Sequence, residues 1–318
     1  MPTVLLTGAT GFVGSQLIPV LRGTGWLVRA AVRSGRDALA DVVEPVLVGD
    51  LSDAPDLRRA LDGADAVIHL AGRAHVMREM EAGADSAFHR ANVDATCHLA
   101  RQAAGAGVRR FVFLSSVKVN GERTGDRPFA ETSPPAPEDA YGRSKWAAEK
   151  ALHEIAAATG LEVVVIRPPL VYGPGVKANF LQLLRLIDQG LPLPLASVRN
   201  QRSFVSVWNL CDLIVACASH PAAGGETFFA SDQHDLSTPE LVRSVAGSFH
   251  RPARLFRFPV PALRLAGRLV GHGAAVERLV GSLQVDSSKA TRALGWAPRV
   301  SVDEGIRRTT EWYRSATR

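Results

Sequence analysis

Tyr141-Gly-Arg-Ser-Lys145 places a phenol and an ammonium four residues apart. On a helix that spacing puts both on one face, one turn from each other. An ammonium beside a phenol stabilises the phenolate, so the tyrosine pKa is expected to fall from about 10 toward working pH. A phenol tuned that way exchanges a proton with a sugar hydroxyl or a carbonyl. By itself the spacing is common on surface helices, where a solvated Tyr and Lys explain it fully. Other residues must carry the case for chemistry.

A candidate nucleotide loop stands near the start of the chain. An apolar strand, Thr3–Thr7, runs into Gly8-Ala9-Thr10-Gly11-Phe12-Val13-Gly14, a G-x-x-G-x-x-G array ahead of a helix. The glycines permit a tight turn, let backbone approach a pyrophosphate and let the helix pack closely on the strand. The helix N-terminus adds N–H groups and the positive end of its dipole. NAD-binding chains usually place an acid at the end of the second strand for the ribose 2′-hydroxyl. Here Ala30-Ala31-Val32-Arg33-Ser34 has none. Arg33 with Ser34 and Arg36 suits a 2′-phosphate, so NADP(H) is favoured over NAD(H); if Arg33 merely faces water, NAD binds adequately. Asp50-Leu51, after the third strand, is placed for an adenine amine or as a helix cap. His69-Leu70-Ala71-Gly72 would pass beneath the adenine ribose and pyrophosphate, where small residues allow close approach.

These residues need a frame, and the first half of the chain supplies one. Strands are predicted at Thr3–Thr7, Leu27–Val32, Pro45–Gly49, Ala66–Leu70, Arg109–Ser115 and Glu162–Arg167. Helices are predicted between them at Phe12–Arg22, Ala54–Leu61, Ala84–Ala106 and Ala140–Thr159. Val- and Ile-rich strands alternating with helices argue for an α/β fold with a doubly wound parallel sheet. After Arg167 prolines multiply, and helices are predicted at Phe180–Gln189, Leu210–Ser219, Pro239–Phe249 and Val302–Arg314. We divide the chain into a dinucleotide-binding domain, 1–170, and a smaller C-terminal substrate domain, 171–318, with 204–219 able to return to the first sheet.

Composition sets outer bounds. The 318 residues are 46% hydrophobic and 21% charged, ordinary for a soluble globular protein. No run of about 18 apolar residues is present, so no membrane span is expected. The N-terminus has no basic segment or cleavage site, so a cytoplasmic chain without a leader is expected. Cys97, Cys211 and Cys217 share no ligand spacing, which argues against disulfides and a metal site. The net charge of +6 suits a diphosphate, but no nucleic-acid motif accompanies it. Between Leu241 and Val276 there are six arginines and no acid. Such a basic amphipathic segment suits a membrane surface, but a helix packed on its own domain with arginines in solvent is the preferred reading.

Together the motifs resemble extended short-chain dehydrogenases/reductases of the NAD-dependent epimerase/dehydratase, nucleotide-sugar type. The resemblance spans the chain: the glycine array, Asp50-Leu51, His69-Leu-Ala-Gly72, Asn92-Val93, Ser115-Ser116, Tyr141-x-x-x-Lys145, Arg167-Pro-Pro-Leu-Val-Tyr-Gly-Pro174, Asp286-Ser-Ser-Lys289 and Leu294-Gly-Trp-x-Pro298. It implies a Rossmann fold and a Ser116, Tyr141, Lys145 catalytic set. Ser116 would bond the substrate oxygen at C4, Tyr141 exchange its proton, and Lys145 hold the nicotinamide ribose. By the same resemblance Asn92 positions the active-site helix or a water, Ser115 lies in the cofactor site, and Pro168 to Val171 contact the nicotinamide. Val117, Asn179, Phe180, Arg202 and Arg278 fall on the substrate side, with Asn179, Phe180 and Arg202 near the nucleotide diphosphate. A homodimer joined through the two long helices is implied as well.

One departure narrows the chemistry. A dehydratase of this family needs an acid pair beside the Ser position; this chain has Val117-Lys118, which argues against dehydration. The segments Ser115–Glu122, Gly175–Phe180 and Asn200–Ser203 resemble a bacterial subgroup containing UDP-sugar 4-epimerases and UDP-4-keto-6-deoxy-N-acetylhexosamine reductases that supply polysaccharide precursors. The missing acid after Val32 suits a consumed NADPH, so the leading expectation is 4-keto reduction of a UDP-sugar. The alternative is a UDP-hexose 4-epimerase using the same residues. A ketone of steroid or flavonoid type is a third substrate class, against which Asn179 and Arg202 argue. A non-catalytic dinucleotide sensor is a different class again, disfavoured by the joint presence of Ser116, Tyr141 and Lys145.

Overall fold

The computed structural model describes residues 1–35, 43–74 and 84–316. Seven strands form one sheet: β1 (Thr3–Thr7), β2 (Leu27–Val32), β3 (Glu44–Leu47), β4 (Ala66–His69), β5 (Arg110–Leu114), β6 (Glu162–Arg167) and β9 (Thr227–Phe229). Their order is β3-β2-β1-β4-β5-β6-β9, and every pair is parallel. Both faces are covered, so successive strand residues enter opposite cores. Val4, Leu6, Ile68, Val112 and Ile166 face α1 (Phe12–Gly23) and α7 (Val207–Ser219). Leu5, Val67, Phe111, Phe113 and Val165 face α4 (Ala95–Gly105) and α5 (Ala140–Thr159). This is the expected doubly wound Rossmann sheet. Strand order reverses between β1 and β4, which opens a crevice beyond the strands' carboxyl ends.

Two predicted helices differ. The one at Ala54–Leu61 shrinks to α2, Arg58–Leu61, after a single 3-10 turn at Leu51–Asp53. Ala54 sits in the left-handed region at φ 51, and Pro55 disfavours helical geometry in the residue before it. The one at Ala84–Ala106 is α3 (Ala84–His89) joined to α4 by a π-helical segment, Arg90–Asp94. Such insertions turn side chains out of the α-helical register and are frequent at functional sites.

The remainder of the chain builds a third core. A two-stranded parallel pair, β7 (Leu170–Tyr172) and β8 (Phe204–Ser206), leads into it. There α6 (Ala178–Asp188), α8 (Thr238–Ser248) and α12 (Val302–Ala316) bury Leu184, Val245 and Ile306 around Tyr172. Three short helices escaped prediction: α9 (Val260–Leu269), α10 (Gly273–Val280) and α11 (Ser288–Leu294). Each spans three turns or fewer, too short for a 3.6-residue period to stand out.

A buried ion pair fastens α5 to the sheet. Glu149 on α5 is fully buried and accepts from Arg167 Nε at 3.0 Å, from Arg167 Nη2 and from the Ser115 hydroxyl. Arg167 Nη1 donates to Asn120 Oδ1 at 3.1 Å. Glu149→Ala leaves a buried guanidinium uncompensated, so a loss of about 3–5 kcal/mol is expected. A denaturant titration checks this; an unchanged midpoint would show that Glu149 does not hold the charge.

Candidate active site

The turn after β1 is a cradle that side chains would fill. A Cβ at Gly14 would lie 2.2 Å from the Gly8 carbonyl oxygen, and one at Gly8 would lie 2.8 Å from the Ala71 nitrogen. Gly8 also holds φ at +70, in the left-handed region. Gly11 donates to Gly8 O at 2.9 Å and caps α1 without any side-chain bond or first-turn acid. The first N–H groups of α1 beside Phe12 and Val13 therefore remain available to an anion. This bare helix end, against backbone that only glycine allows, fits a dinucleotide pyrophosphate.

Leu70, Ala71 and Gly72 follow β4 and meet the cradle from the other side of the crevice. A relay of hydrogen bonds holds them. Ala71 N donates to Thr7 Oγ1 at 3.2 Å, Thr7 meets His69 Nδ1 at 2.6 Å, and His69 Nε2 meets Thr96 Oγ1 at 2.9 Å. Thr96 itself donates to Asn92 O at 2.7 Å, so it can only accept from His69, which places the ring proton on Nε2. Burial, then the nearby Lys145 charge, pushes the His69 pKa down to about 3 and keeps the ring neutral.

The π-helical segment delivers Asn92 to the centre of the site. Its Oδ1 accepts from Arg73 N at 2.7 Å, and its Nδ2 donates to Arg73 O at 3.0 Å and to Ser144 Oγ at 2.9 Å. Asn92 thus joins the β4 loop to the helix that carries Tyr141 and Lys145. Gly72 completes the convergence: a Cβ there would lie 3.0 Å from Asn92 Oδ1 and 3.4 Å from Lys145 Nζ.

Helix α5 starts at Asp139, whose carboxylate accepts from Gly142 N at 2.7 Å. Its first turn presents Tyr141 beside Ser116, whose hydroxyl acts to lower the phenol's pKa. Ser116 caps a 3-10 turn at the end of β5 and accepts from Lys118 N at 3.3 Å. The structure therefore brings Ser116, Tyr141 and Lys145 together. The expected electrostatics are corrected. Burial and then the Asp139 carboxylate push the Tyr141 pKa up to about 12, against the lowering expected from Lys145. Lys145 instead donates to Leu114 O at 2.9 Å and lies 4.5 Å from the centre of the Phe113 ring. Burial lowers its own pKa to about 8, opposed by Glu149.

Several candidates sit differently from a ligand contact. Asp50 Oδ1 accepts from Ser52 N at 2.9 Å and Ser52 Oγ at 2.7 Å, which lowers its pKa, while Oδ2 faces Arg33 at 3.9 Å. Leu51 begins the turn that Asp50 caps. The Ser115 hydroxyl is taken by Glu149. Val117 is buried with Phe229, Leu283 and Val285, and its backbone is engaged as well: its N–H donates to Pro168 O at 3.0 Å and its carbonyl accepts from Asn120 N at 2.8 Å. Pro168 is buried; Val171 lies in β7, paired with Val205. Phe180 packs in the third core on Tyr172, whereas Asn179 beside it is exposed. Arg36 lies outside the described residues.

Arg202 and Arg278 converge through a carboxylate. Arg202 donates to Gly281 O at 2.9 Å, and burial followed by repulsion from Arg278 lowers its pKa to about 10, with Glu122 opposing. Arg278 pairs with Glu122 at 3.6 Å, and Glu122 with Lys118 at 2.8 Å. Lys118 also holds Asp139 at the start of α5. Sequence reasoning passed over Glu122 and Asp139, although an Asp three residues before Gly142 is a helix-start signal.

A Rossmann sheet with a glycine cradle at its switch point and a Ser–Tyr–Lys cluster beside it defines an NAD(P)-dependent short-chain dehydrogenase/reductase. The chain belongs to the NAD dependent epimerase/dehydratase family, whose sequence model matches residues 4–229. It is 43% identical to a UDP-glucose 4-epimerase of Vibrio cholerae over 99% of this chain and 96% of that one. It is 27% identical to an N-acetyl-alpha-D-glucosaminyl-diphospho-ditrans,octacis-undecaprenol 4-epimerase of Escherichia coli O157:H7, over 97% of this chain and 94% of that one. Among solved structures it is similar to MoeE5 in complex with UDP-glucose and NAD, at TM-score 0.78 and 27% identity, over 99% of this chain and 100% of that one.

Lys145 carries a charge without a carboxylate within bonding distance among the described residues, and its folded pKa of about 8 lies below the ordinary value of 10.5. Below about pH 8 it is charged in both states and costs stability in full. As pH rises from 8 toward 10.5 the folded state sheds the proton first, and the cost disappears. Lys145→Met is therefore expected to stabilise the cofactor-free protein by about 2–4 kcal/mol at pH 7 and by little near pH 10. Thermal melts at the two pH values check this; a destabilised variant at pH 7 would sink it.

Proposed function

We propose that the protein is an NAD-dependent UDP-sugar 4-epimerase. The observation that carries the reading is Ser116 set beside Tyr141, one helical turn from Lys145, in a chain 43% identical to an enzyme named UDP-glucose 4-epimerase. The 4-keto reductase expected first from sequence becomes the second reading. Its support is the acid-free end of β2 at Arg33, which suits NADPH. Support for NAD comes from MoeE5, solved with UDP-glucose and NAD.

In this reading residues 1–170, with 204–219 returning, carry the dinucleotide at Gly8, Gly11, Gly14 and Gly72, and the rest carries the UDP-sugar. The cofactor, when bound, supplies a site that takes a hydride from C4 and returns it. Tyr141 takes the proton of the 4-hydroxyl and gives it back to the oxygen after the sugar has turned its other face. Ser116 bonds that same oxygen and Tyr141 together, fixing the transfer distance. At a pKa of about 12 the Tyr141 phenol rests protonated in the free protein, suited to the donating half of the cycle. The accepting half needs its phenolate, so positive charge brought alongside in the complex is required. Arg202 and Arg278 would meet the diphosphate, which displaces Glu122 from Arg278.

The test mixes UDP-glucose with protein and no added cofactor. Turnover to the 4-epimer is expected, with NAD released on denaturation. Tyr141→Phe is expected to lose several orders of magnitude in turnover, on the order of 10²–10⁴ from proton transfer alone, while retaining NAD. An empty site with NADPH-dependent reduction of a UDP-4-keto sugar would establish the second reading instead.

A further inference from the structure

The acid-free stretch between Leu241 and Val276 was expected to pack inward and show its arginines to solvent. The structure turns part of its apolar surface outward instead. Helix α9 packs on the third core through Val260 and Leu263 and fully buries only Gly267. Its opposite stripe presents Leu265 at 60% exposure and Leu269 at 79%, one turn apart, continued by Val270 at 67%. Phe256, just before the helix, is 44% exposed. These are four of the eight large hydrophobic side chains exposed among the described residues, so the exposure is concentrated rather than scattered.

The charge beside this ridge is predominantly positive. Arg264 is answered by Glu277 at 3.1 Å and Arg251 by Asp188 at 3.5 Å. Arg257 and Arg268 enter no ion pair among the described residues, and both are exposed. An apolar ridge flanked by uncompensated arginines matches the boundary of an anionic bilayer, where acyl chains lie under phosphate headgroups. It suits a second copy of this chain poorly, because a two-fold contact would bring the arginines of both copies together.

We propose that α9, with Val270 at its end, forms a peripheral membrane anchor. It inserts Leu265, Leu269 and Val270 into the headgroup boundary of an anionic phospholipid bilayer, with Arg257 and Arg268 against the phosphates. Co-sedimentation of the full chain with phosphatidylglycerol-containing vesicles tests this, with vesicles of phosphatidylcholine alone as the comparison. Stronger binding to the anionic vesicles is expected, weakening as salt rises. Leu265→Ser with Leu269→Ser should lower the partition constant about tenfold or more. Arg257→Gln with Arg268→Gln should lower it about tenfold on anionic vesicles only. Because these side chains are exposed, both variants should keep the parent thermal midpoint, which separates lost binding from lost folding. Equal sedimentation of parent and variants, or no preference for anionic lipid, would overturn the anchor. A leucine variant that instead shifts from a larger species to a smaller one in gel filtration, without vesicle binding by the parent, would also overturn it and assign the face to a second copy.

Discussion

The buried pair between Glu149 and Arg167 is the constraint on which the site rests. Two charges taken out of water are tolerable only when nearly every lone pair and N–H is occupied. Here Ser115 and Asn120 join the pair, so the ends of β5 and β6 and the middle of α5 are held at one point. Tyr141, Lys145 and Glu149 follow one another at four-residue steps along α5. Fixing Glu149 therefore fixes the rotation and height of the helix, and with them the position of the phenol against Ser116. The hydroxyl of Ser115 belongs to this fastening, while that of the next residue lies beside Tyr141.

Around this anchor the protein accepts local penalties. Lys145 is buried with no carboxylate partner among the described residues, and the pKa of the Tyr141 phenol is held far above working pH. Asn92 makes its hydrogen bonds to Arg73 and Ser144 from within an underwound π segment. Such features lower stability where they stand, and they cluster where a ligand would bring compensating charge and hydrogen bonds.

Much of this was legible in the sequence, and the limits have physical causes. Buried parallel strands write themselves as apolar runs, so β1, β2 and β6 were bounded correctly. The glycine array was legible because no other residue tolerates the approach to Gly8 O. The family motifs carried Ser116, Tyr141 and Lys145 to one place. What the pattern could not supply was direction. Val117 and Phe180 stand beside candidate ligands in the chain, yet their side chains turn into apolar cores. Lys145 is four residues from Tyr141, yet its ammonium points to Leu114 O and a ring face. The ion pairs of Glu122 with Arg278 and of Lys118 with Asp139 join segments far apart in the chain, which no local spacing reveals. The same holds for α9, whose apolar residues looked like core until the fold showed which side was occupied.

The return of α7 and β9 to the first sheet has a consequence for synthesis. The parallel sheet gains its last strand only when Phe229 has left the ribosome, although β6 is complete at Arg167. Until then β6 offers an unpaired edge, and the face that α7 covers, around Leu17, Leu21 and Val112, lies open. The nascent chain thus passes through a long window in which its N-terminal half is present in sequence but unfinished in packing. Chaperone contact and aggregation have their opening in that window, and a chain interrupted before residue 229 would remain in it.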